Sequence, residues 1–362
     1  EFNNIIARFS LNWLTVSILL MEVLCLIPFV SFVIPAYNME SYIAVALESL
    51  KKQTLRPLEI IVVDDGSTDN TTKVATDVLS NSDLMWKIIV QENRGVSVAR
   101  NVGISKCLGE YICFLDADDY VNHSFAEKLY VSAKKFDCDM VFCKYNMISS
   151  DGKLVKSYDE VFNQKILQQL SLEVVSGKQI LEEYMRFNID ILMGNALYKK
   201  GMLMEKNISF TPGCKRCEDR EFIFKALMCS RKVIFVPEAV SFYVQHTKSV
   251  THNNNDTSEV LNHIYGAFKR MEEFLKSEGN ERRLEQIYQK YRNKYFRSTL
   301  TSIFSTNPNI DIDEMVKTFM KYARGTGTKT FRDLILRMMF NFFPPKLLAK
   351  AISKYYSRMQ KN

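Results

Sequence analysis

From Ser31 the chain alternates short apolar runs with segments whose apolar residues recur at helical spacing. "FVSFVIP" (29–35) has the length and composition of a buried strand, and "SYIAVALESLKKQ" (41–53) sets Ile43, Ala46, Leu47 and Leu50 on one helical face. "LEIIVVDDGS" (58–67) predicts a second strand. "STDNTTKVATDVLS" (67–80) predicts a helix with Ser67, Thr68 or Asp69 as its cap. "KIIVQENRG" (87–95), "VSVARNVGISKC" (96–107) and "EYICFLDADD" (110–119) continue the pattern as strand, helix and strand. A helix over 124–136 and a strand over 139–149 follow, then a variable excursion over 151–175. Beyond it come "GNALYKKGMLMEKNISF" (194–210), a helix over 217–230, a strand over 232–246 and helical spacing from about 257 onward. "HNNNDTS" (252–258) reads as a linker.

Ile- and Val-rich strands alternating with helices predict an α/β fold with a mostly parallel sheet covered on both faces. Ligands of such sheets sit beyond the carboxyl ends of the strands. Here the first four strands end in "PAYN", "DDGSTD", "ENRG" and "DADD". Polar chemistry therefore converges on one crevice. At the last of these ends Asp116, Asp118 and Asp119 crowd three carboxylates together, and such crowding is relieved by a cation. A D-x-D after a strand suits a hard divalent ion with oxygen ligands, commonly alongside substrate phosphates. Taken alone the motif could equally be a solvated turn or a helix cap.

Composition narrows the classes. Hydrophobic residues at 47% and charged residues at 25% fit a globular protein. Seven basic residues against Asp333 within 331–362 account for six of the seven net positive charges, so the rest is near neutral and no broad nucleic-acid-binding face is expected. The eight cysteines are scattered, several inside apolar runs, as befits free thiols in a reducing compartment. "CKRC" (214–217) has the spacing of half a zinc site, with no second pair to complete it.

Two terminal segments stand apart. "FSLNWLTVSILLMEVLCLI" (9–27) carries only Glu22 and approaches the roughly 20 residues that span a bilayer. The predicted strand follows it without a linker, so a non-native or loosely docked leader, with Met21 as natural start, is expected rather than a span. At the other end, Leu334, Leu336, Met338, Met339, Phe340, Phe342 and Phe343 precede Pro344 and Pro345. A basic amphipathic stretch follows, with Leu347, Leu348, Ala351 and Ile352 opposite Lys346, Lys350 and Lys354. Such a segment fits either an anionic membrane surface or a packed terminal helix with a solvated basic face.

Residues 30–71, with "PAYN" and "DDGSTD", and 92–119, "ENRGVSVARNVGISKCLGEYICFLDADD", resemble the inverting nucleotide-sugar glycosyltransferases of family 2, which have the GT-A fold. The resemblance is strong over 31–122 and moderate over 190–250. It implies a catalytic domain over 31–250, after a leader (1–30) and before a helical C-terminal region (251–362). It implies a UDP-sugar donor, Mn²⁺ or Mg²⁺, and a glycan or lipid-linked oligosaccharide acceptor. It also implies a cytoplasmic location, peripheral on the membrane through the basic tail.

Residue by residue, Pro35, Ala36, Tyr37 and Asn38 would form the loop under uracil, with Tyr37 stacking on it. Asp65 would accept from the base imide, and Asp64 would support its turn. Arg100, Asn101 and Ala117 would line the nucleotide, and Asp116 would contact ribose or metal-bound water. Asp118 would hold the metal, with Asp116 and His246 as further candidate ligands and Lys248 nearby. Asp119 would be a metal-side group or a cap. "CEDREFIFKAL" is similar to the family's E-D-x-x-F helix start, which implies Asp219 as general base and Glu218 as its neighbour; the bland account of two acids there is the helix dipole. Ala196 departs from the family, which commonly has Lys in that acceptor segment. A phosphatase of the haloacid dehalogenase type would use D-x-D but leaves "PAYN" and "VVDDGSTD" without a task. A non-catalytic sugar-nucleotide-binding scaffold is the remaining alternative.

Overall fold

The computed structural model describes residues 27–171, 173–246, 257–279 and 281–306. Residues 1–26 of the leader, most of the Asn-rich linker, Lys248 and the basic tail lie outside the described residues. No described helix is long and apolar enough to cross a membrane.

The first half of the sheet is parallel. β1 (Val30–Ala36) lies between β2 (Leu58–Asp64) and β4 (Tyr111–Phe114), and β3 (Met85–Val90) pairs with the outer side of β2. Every residue of β1, β2 and β4 is buried, which is why these strands read as continuous apolar runs. β3 is at the edge of the sheet, and its exposed Trp86 and Val90 reflect that place. Three helices connect these strands: α1 (Ile43–Lys51), α2 (Thr71–Leu79) and α3 (Val96–Lys106). α1 buries Ile43, Ala46, Leu47 and Leu50, the face its spacing predicts.

Register fixes where the polar ends fall. Ala36 pairs with Asp64, and Val33 pairs with Phe114, so the three strands finish at one edge. α3 comes unusually close to β1 through Gly103, where a Cβ would lie 2.2 Å from Val33 Cγ1. At the opposite end, buried Glu59 accepts from Ser31 Oγ at 2.6 Å and from Leu108 N at 2.9 Å.

Beyond β4 the sheet changes character. β5 (Tyr120–Val121), α4 (Phe125–Phe136), β6 (Met140–Ser149), β7 (Leu154–Ser157), β8 (Ala196–Lys199) and β9 (Val233–Gln245) complete nine strands in the order β3-β2-β1-β4-β8-β6-β9-β5, with β7 on β6. β8 is antiparallel to both β4 and β6, while β6 and β9 run parallel. The predicted parallel sheet is thus the nucleotide half, and the rest is mixed. The excursion over 151–175 holds β7, α5 (Tyr158–Val161) and α6 (Gln164–Leu170).

Two compact units emerge within the described residues. One runs to Ile180 and adds Ile189–Gly213 and Cys229–His246; α8 (Lys200–Glu205) belongs to it. The other takes Leu181–Asn188, Cys214–Met228 and the helices from Thr257 on. α7 (Gly177–Met185) therefore contributes its later residues to the second unit. That unit is built from α9 (Glu218–Cys229), α10 (Thr257–Ser277) and α11 (Arg282–Thr306). Phe268 is its aromatic centre, within 5.2–6.3 Å of the rings of Tyr288, Tyr291, Tyr295 and Phe296. Buried Glu221 takes two-pronged hydrogen bonds from Arg270, at 3.0 and 2.7 Å, and a third bond from Lys225 at 2.6 Å.

Candidate functional site

The loops after β1 and β2 are sewn together by short polar side chains. Asn38, in a left-handed conformation (φ 55°), accepts from Thr68 N at 2.8 Å, and its own N–H donates to Ser67 Oγ at 2.9 Å. Met39 N donates to Thr71 Oγ1, Glu40 N donates to Asp69, and Asn70 N donates to Glu40. Asp69 rather than Ser67 or Thr68 serves the start of α2, accepting from Thr71 N at 3.0 Å. Pro35 and Ala36 are buried under this lacing, while Tyr37 stays 46% exposed at its tip.

Asp64 and Asp65 divide their work. Asp64 accepts from Ser67 N at 2.9 Å and from the Thr72 hydroxyl, which holds the turn. Asp65 is buried and accepts from Gln91 Nε2 (2.6 Å), Arg94 N (3.0 Å) and Gly95 N (2.7 Å). Those bonds bring the loop after β3 against the loop after β2. A carboxylate has about four acceptor sites, so Asp65 keeps capacity for one more donor.

The D-A-D-D turn follows β4. Asp116 accepts from Arg100 at 2.8 Å, and the guanidinium of Arg100 lies 5.2 Å from the centre of the Phe210 ring. Asn101 is committed to the backbone of Phe210, donating to its carbonyl (2.8 Å) and accepting from its N–H (2.9 Å). Ala117 is buried. Asp118 faces His246 Nε2 at 3.4 Å, and the His246 ring packs 4.5 Å from that of Tyr42 in the loop after β1. Burial, then the nearby charge of Asp116, pushes the Asp118 carboxyl up to about 6. Asp119 is buried and accepts from Val244 N at 2.9 Å, so it ties the turn to β9 two residues before His246. Burial, with the charges of Asp116 and Asp118, holds its carboxyl well above the usual range.

This corner fits a divalent cation in its donor types. His246 Nε2 is buried and makes no hydrogen bond, and it faces a carboxylate that its surroundings disfavour as an anion. Asp116, by contrast, has one oxygen occupied by Arg100. Among the described residues no cluster of three or more His, Cys, Asp or Glu side chains assembles with metal-binding geometry.

In the second unit, Glu218 and Asp219 open α9 and are half-buried, and Asp219 Oδ1 accepts from Arg220 N at 2.7 Å. The two cysteines of the preceding "CKRC" are buried free thiols, and no third His, Cys, Asp or Glu among the described residues joins them in a metal-binding group. The Cys214 sulfur accepts from Arg270 at 3.2 Å, whereas Cys217 donates to the Tyr295 hydroxyl at 3.2 Å. Back in the first unit, Ala196 is fully buried in β8 opposite Phe142.

Tyr42, Phe210 and Tyr295 escape a reading of the sequence. Each acts through a partner distant in the chain, and a lone aromatic in an apolar context carries no local signal. Only the doublet Arg100–Asn101, two polar side chains inside a helix next to the strand ends, hints that something there needs holding.

A sequence model described as Glycosyl transferase family 2 matches residues 31–202. Glycosyltransferase GlyG of Streptococcus pneumoniae is 31% identical over 232 residues, 63% of this chain and 75% of the relative. The uncharacterised glycosyltransferase EpsJ of Bacillus subtilis is 30% identical over 230 residues, 62% of this chain and 64% of the relative, so the chain spans just under two thirds of that protein. The crystal structure of Staphylococcus aureus TarS 1–349 in complex with UDP-GlcNAc shares the fold, with a TM-score of 0.65 and 20% identity over 84% of this chain and 83% of that one. The mixed sheet with its flanking helices is therefore a GT-A fold, and the chain belongs to the family 2 glycosyltransferases.

Proposed function

We propose that this glycosyltransferase moves one sugar from a UDP-sugar to a hydroxyl group of a glycan or lipid-linked acceptor, with inversion at the sugar carbon. The observation that carries the reading is the meeting of Asp118 with the unsatisfied Nε2 of His246, 3.4 Å apart, beside the loop after β1. Tyr37 offers uracil an exposed aromatic face. Asp65 keeps an acceptor site for the imide N–H, while Asp64 and Asn38 fix the loops on either side. Arg100 balances Asp116 and leaves Asp118 as the principal carboxylate for Mn²⁺ or Mg²⁺, with His246 beside it. The bound cation supplies charge neutralisation for the departing diphosphate. Asp219 takes the proton of the acceptor hydroxyl as that oxygen bonds to the anomeric carbon and the bond from this carbon to the diphosphate oxygen breaks. Glu218 is its acidic neighbour, and UDP leaves with the electron pair of the broken bond.

TarS was solved with UDP-GlcNAc, which makes that donor the first of a UDP-sugar panel to try. The assay is UDP release with Mn²⁺ and with EDTA. Asp118→Ala is expected to abolish Mn²⁺-dependent UDP binding in calorimetry. Asp219→Asn is expected to keep binding and lose turnover. Normal turnover by Asp219→Asn would transfer the base role to another residue. A chain that binds UDP yet releases it from no donor would be the non-catalytic scaffold instead.

The same reading places the protein on the cytoplasmic face of a membrane, supported by the concentration of basic residues in 331–362. Flotation with phosphatidylglycerol vesicles checks it. Replacing Lys346, Lys350 and Lys354 by Glu in the full chain should release the protein, and unchanged flotation would remove the tail from the account.

A further inference from the structure

Glu218 and Asp219 open α9, and the residue on each side of this pair is held by one and the same side chain. Tyr295, on α11, accepts a hydrogen bond from Cys217 Sγ on its hydroxyl at 3.2 Å. Its ring lies 5.2 Å from the guanidinium carbon of Arg220. Tyr184, on α7, is a second aromatic at that guanidinium, with its ring at 5.6 Å and its hydroxyl accepting from Arg220 at 3.0 Å. The chain enters α9 through Cys217 at φ 61°, a left-handed conformation that a residue bearing a side chain adopts only at a cost. Contacts from elsewhere must sustain that bend. The Tyr295 ring is itself packed, 5.2 Å from that of Phe268 and 6.3 Å from that of Tyr291. Burial pushes the Cys217 thiol up to about 12 and the Tyr295 phenol well above its usual range, so both stay protonated and the hydrogen bond keeps its donor.

We infer that Tyr295 is a positioning residue for the acid pair, its hydroxyl fixing the bend before Glu218 and its ring fixing the side chain after Asp219. The inference rests on the reading of Asp219 as the base. General-base catalysis demands placement to within a fraction of an ångström, and misplacement by about 1 Å can cost about a hundredfold in rate. A clamp that brackets the pair is what such tolerance requires, and both of its arms belong to the helical unit.

The test measures kcat and KM for UDP release from the best UDP-sugar of the panel, together with UDP affinity and melting temperature. Tyr295→Leu is expected to lower kcat about ten- to a hundredfold while KM and UDP affinity stay within about twofold of the unsubstituted enzyme. Tyr295→Phe keeps the ring but removes the acceptor of the Cys217 bond, and should recover only part of the rate. Arg220→Lys keeps the charge but loses the planar guanidinium that packs against Tyr295 and donates to Tyr184, and should lower kcat alone. If Tyr295→Leu fails to fold, Arg220→Lys decides by the same criterion. Unreduced kcat in whichever of the two is folded, or a parallel loss of UDP affinity, overturns the inference. Asp219→Asn, run alongside, separates the two failures. An active Asp219→Asn removes the base assignment itself, whereas an inactive Asp219→Asn beside a fully active clamp variant removes Tyr295 alone.

Discussion

Asp118 shows how its surroundings can disfavour the charged form of a single side chain. Burial and Asp116 raise its carboxyl to about 6, above the ordinary aspartate value of 3.8. A group whose folded value is raised binds its proton more tightly in the native state, so folding gains from it at low pH. That gain is complete below the unfolded value and lost as pH rises from there through about 6. Thermal unfolding in EDTA should therefore show Asp118→Asn gaining on the unsubstituted protein as pH climbs from 4 to about 7. Added Mn²⁺ should close the gap by stabilising only the protein that keeps Asp118. A constant difference in melting temperature across that range would show that Asp118 titrates normally. The acidic turn was visible in the sequence because like charges crowd a strand end. Its partner His246 was suggested only by family resemblance, since a lone histidine has no pattern of its own.

At the scale of elements, what was legible is what depends on local periodicity. Ile43, Ala46, Leu47 and Leu50 marked the buried face of α1, and the fully buried strands β1, β2 and β4 announced themselves as apolar runs. Pairing direction was not legible. β8 is inserted antiparallel between β4 and β6, setting Tyr111 opposite Lys199 and Phe142 opposite Ala196, and no local signal specifies partners so far apart in the chain. Nor was the closeness of α3 to β1. Gly103 reads as a weak spot in a helix, yet a Cβ there would sit 2.2 Å from Val33 Cγ1, with Val33 itself fully buried. Gly103→Ala should therefore destabilise the fold by about 1–3 kcal/mol through overpacking. It should also weaken UDP binding, because Arg100 lies one turn earlier on the same helix and must reach Asp116. Urea unfolding measures the first effect, and Val33→Ala added to Gly103→Ala should restore part of it. Undiminished stability in the single variant would mean that the helix shifts freely and that its closeness to β1 is incidental.

Over the whole molecule, the residues proposed to hold the nucleotide and those proposed to take the proton belong to different compact units. Tyr37, Asp65 and Asp118 stand in the sheet unit, and Glu218 and Asp219 in the helical one. The resemblance implied a catalytic domain running to residue 250, whereas α9, within that range, groups with the C-terminal helices. The reason lies in Glu221, on α9, which is buried and bound by Arg270 of α10. Burial works against its charge, but the hydrogen bonds from Arg270 and Lys225 outweigh that and hold the carboxyl below the usual glutamate range. A depressed carboxyl contributes stability above its ordinary value and loses it as pH falls through the lowered one, so this tie is intact at neutral pH. Removing one partner of a buried pair strands the other and costs about 3–5 kcal/mol, whereas replacing both by apolar groups often costs little. Arg270→Met should accordingly loosen the unit that carries the acid pair while the sheet unit stays folded. On warming, UDP release should fail in this variant at a temperature where Mn²⁺-dependent UDP binding persists. Adding Glu221→Met should bring the two temperatures back together. Simultaneous loss of binding and turnover in Arg270→Met would instead mean that the two units melt as one, and that the ion pair stabilises the enzyme without any special bearing on its acid pair.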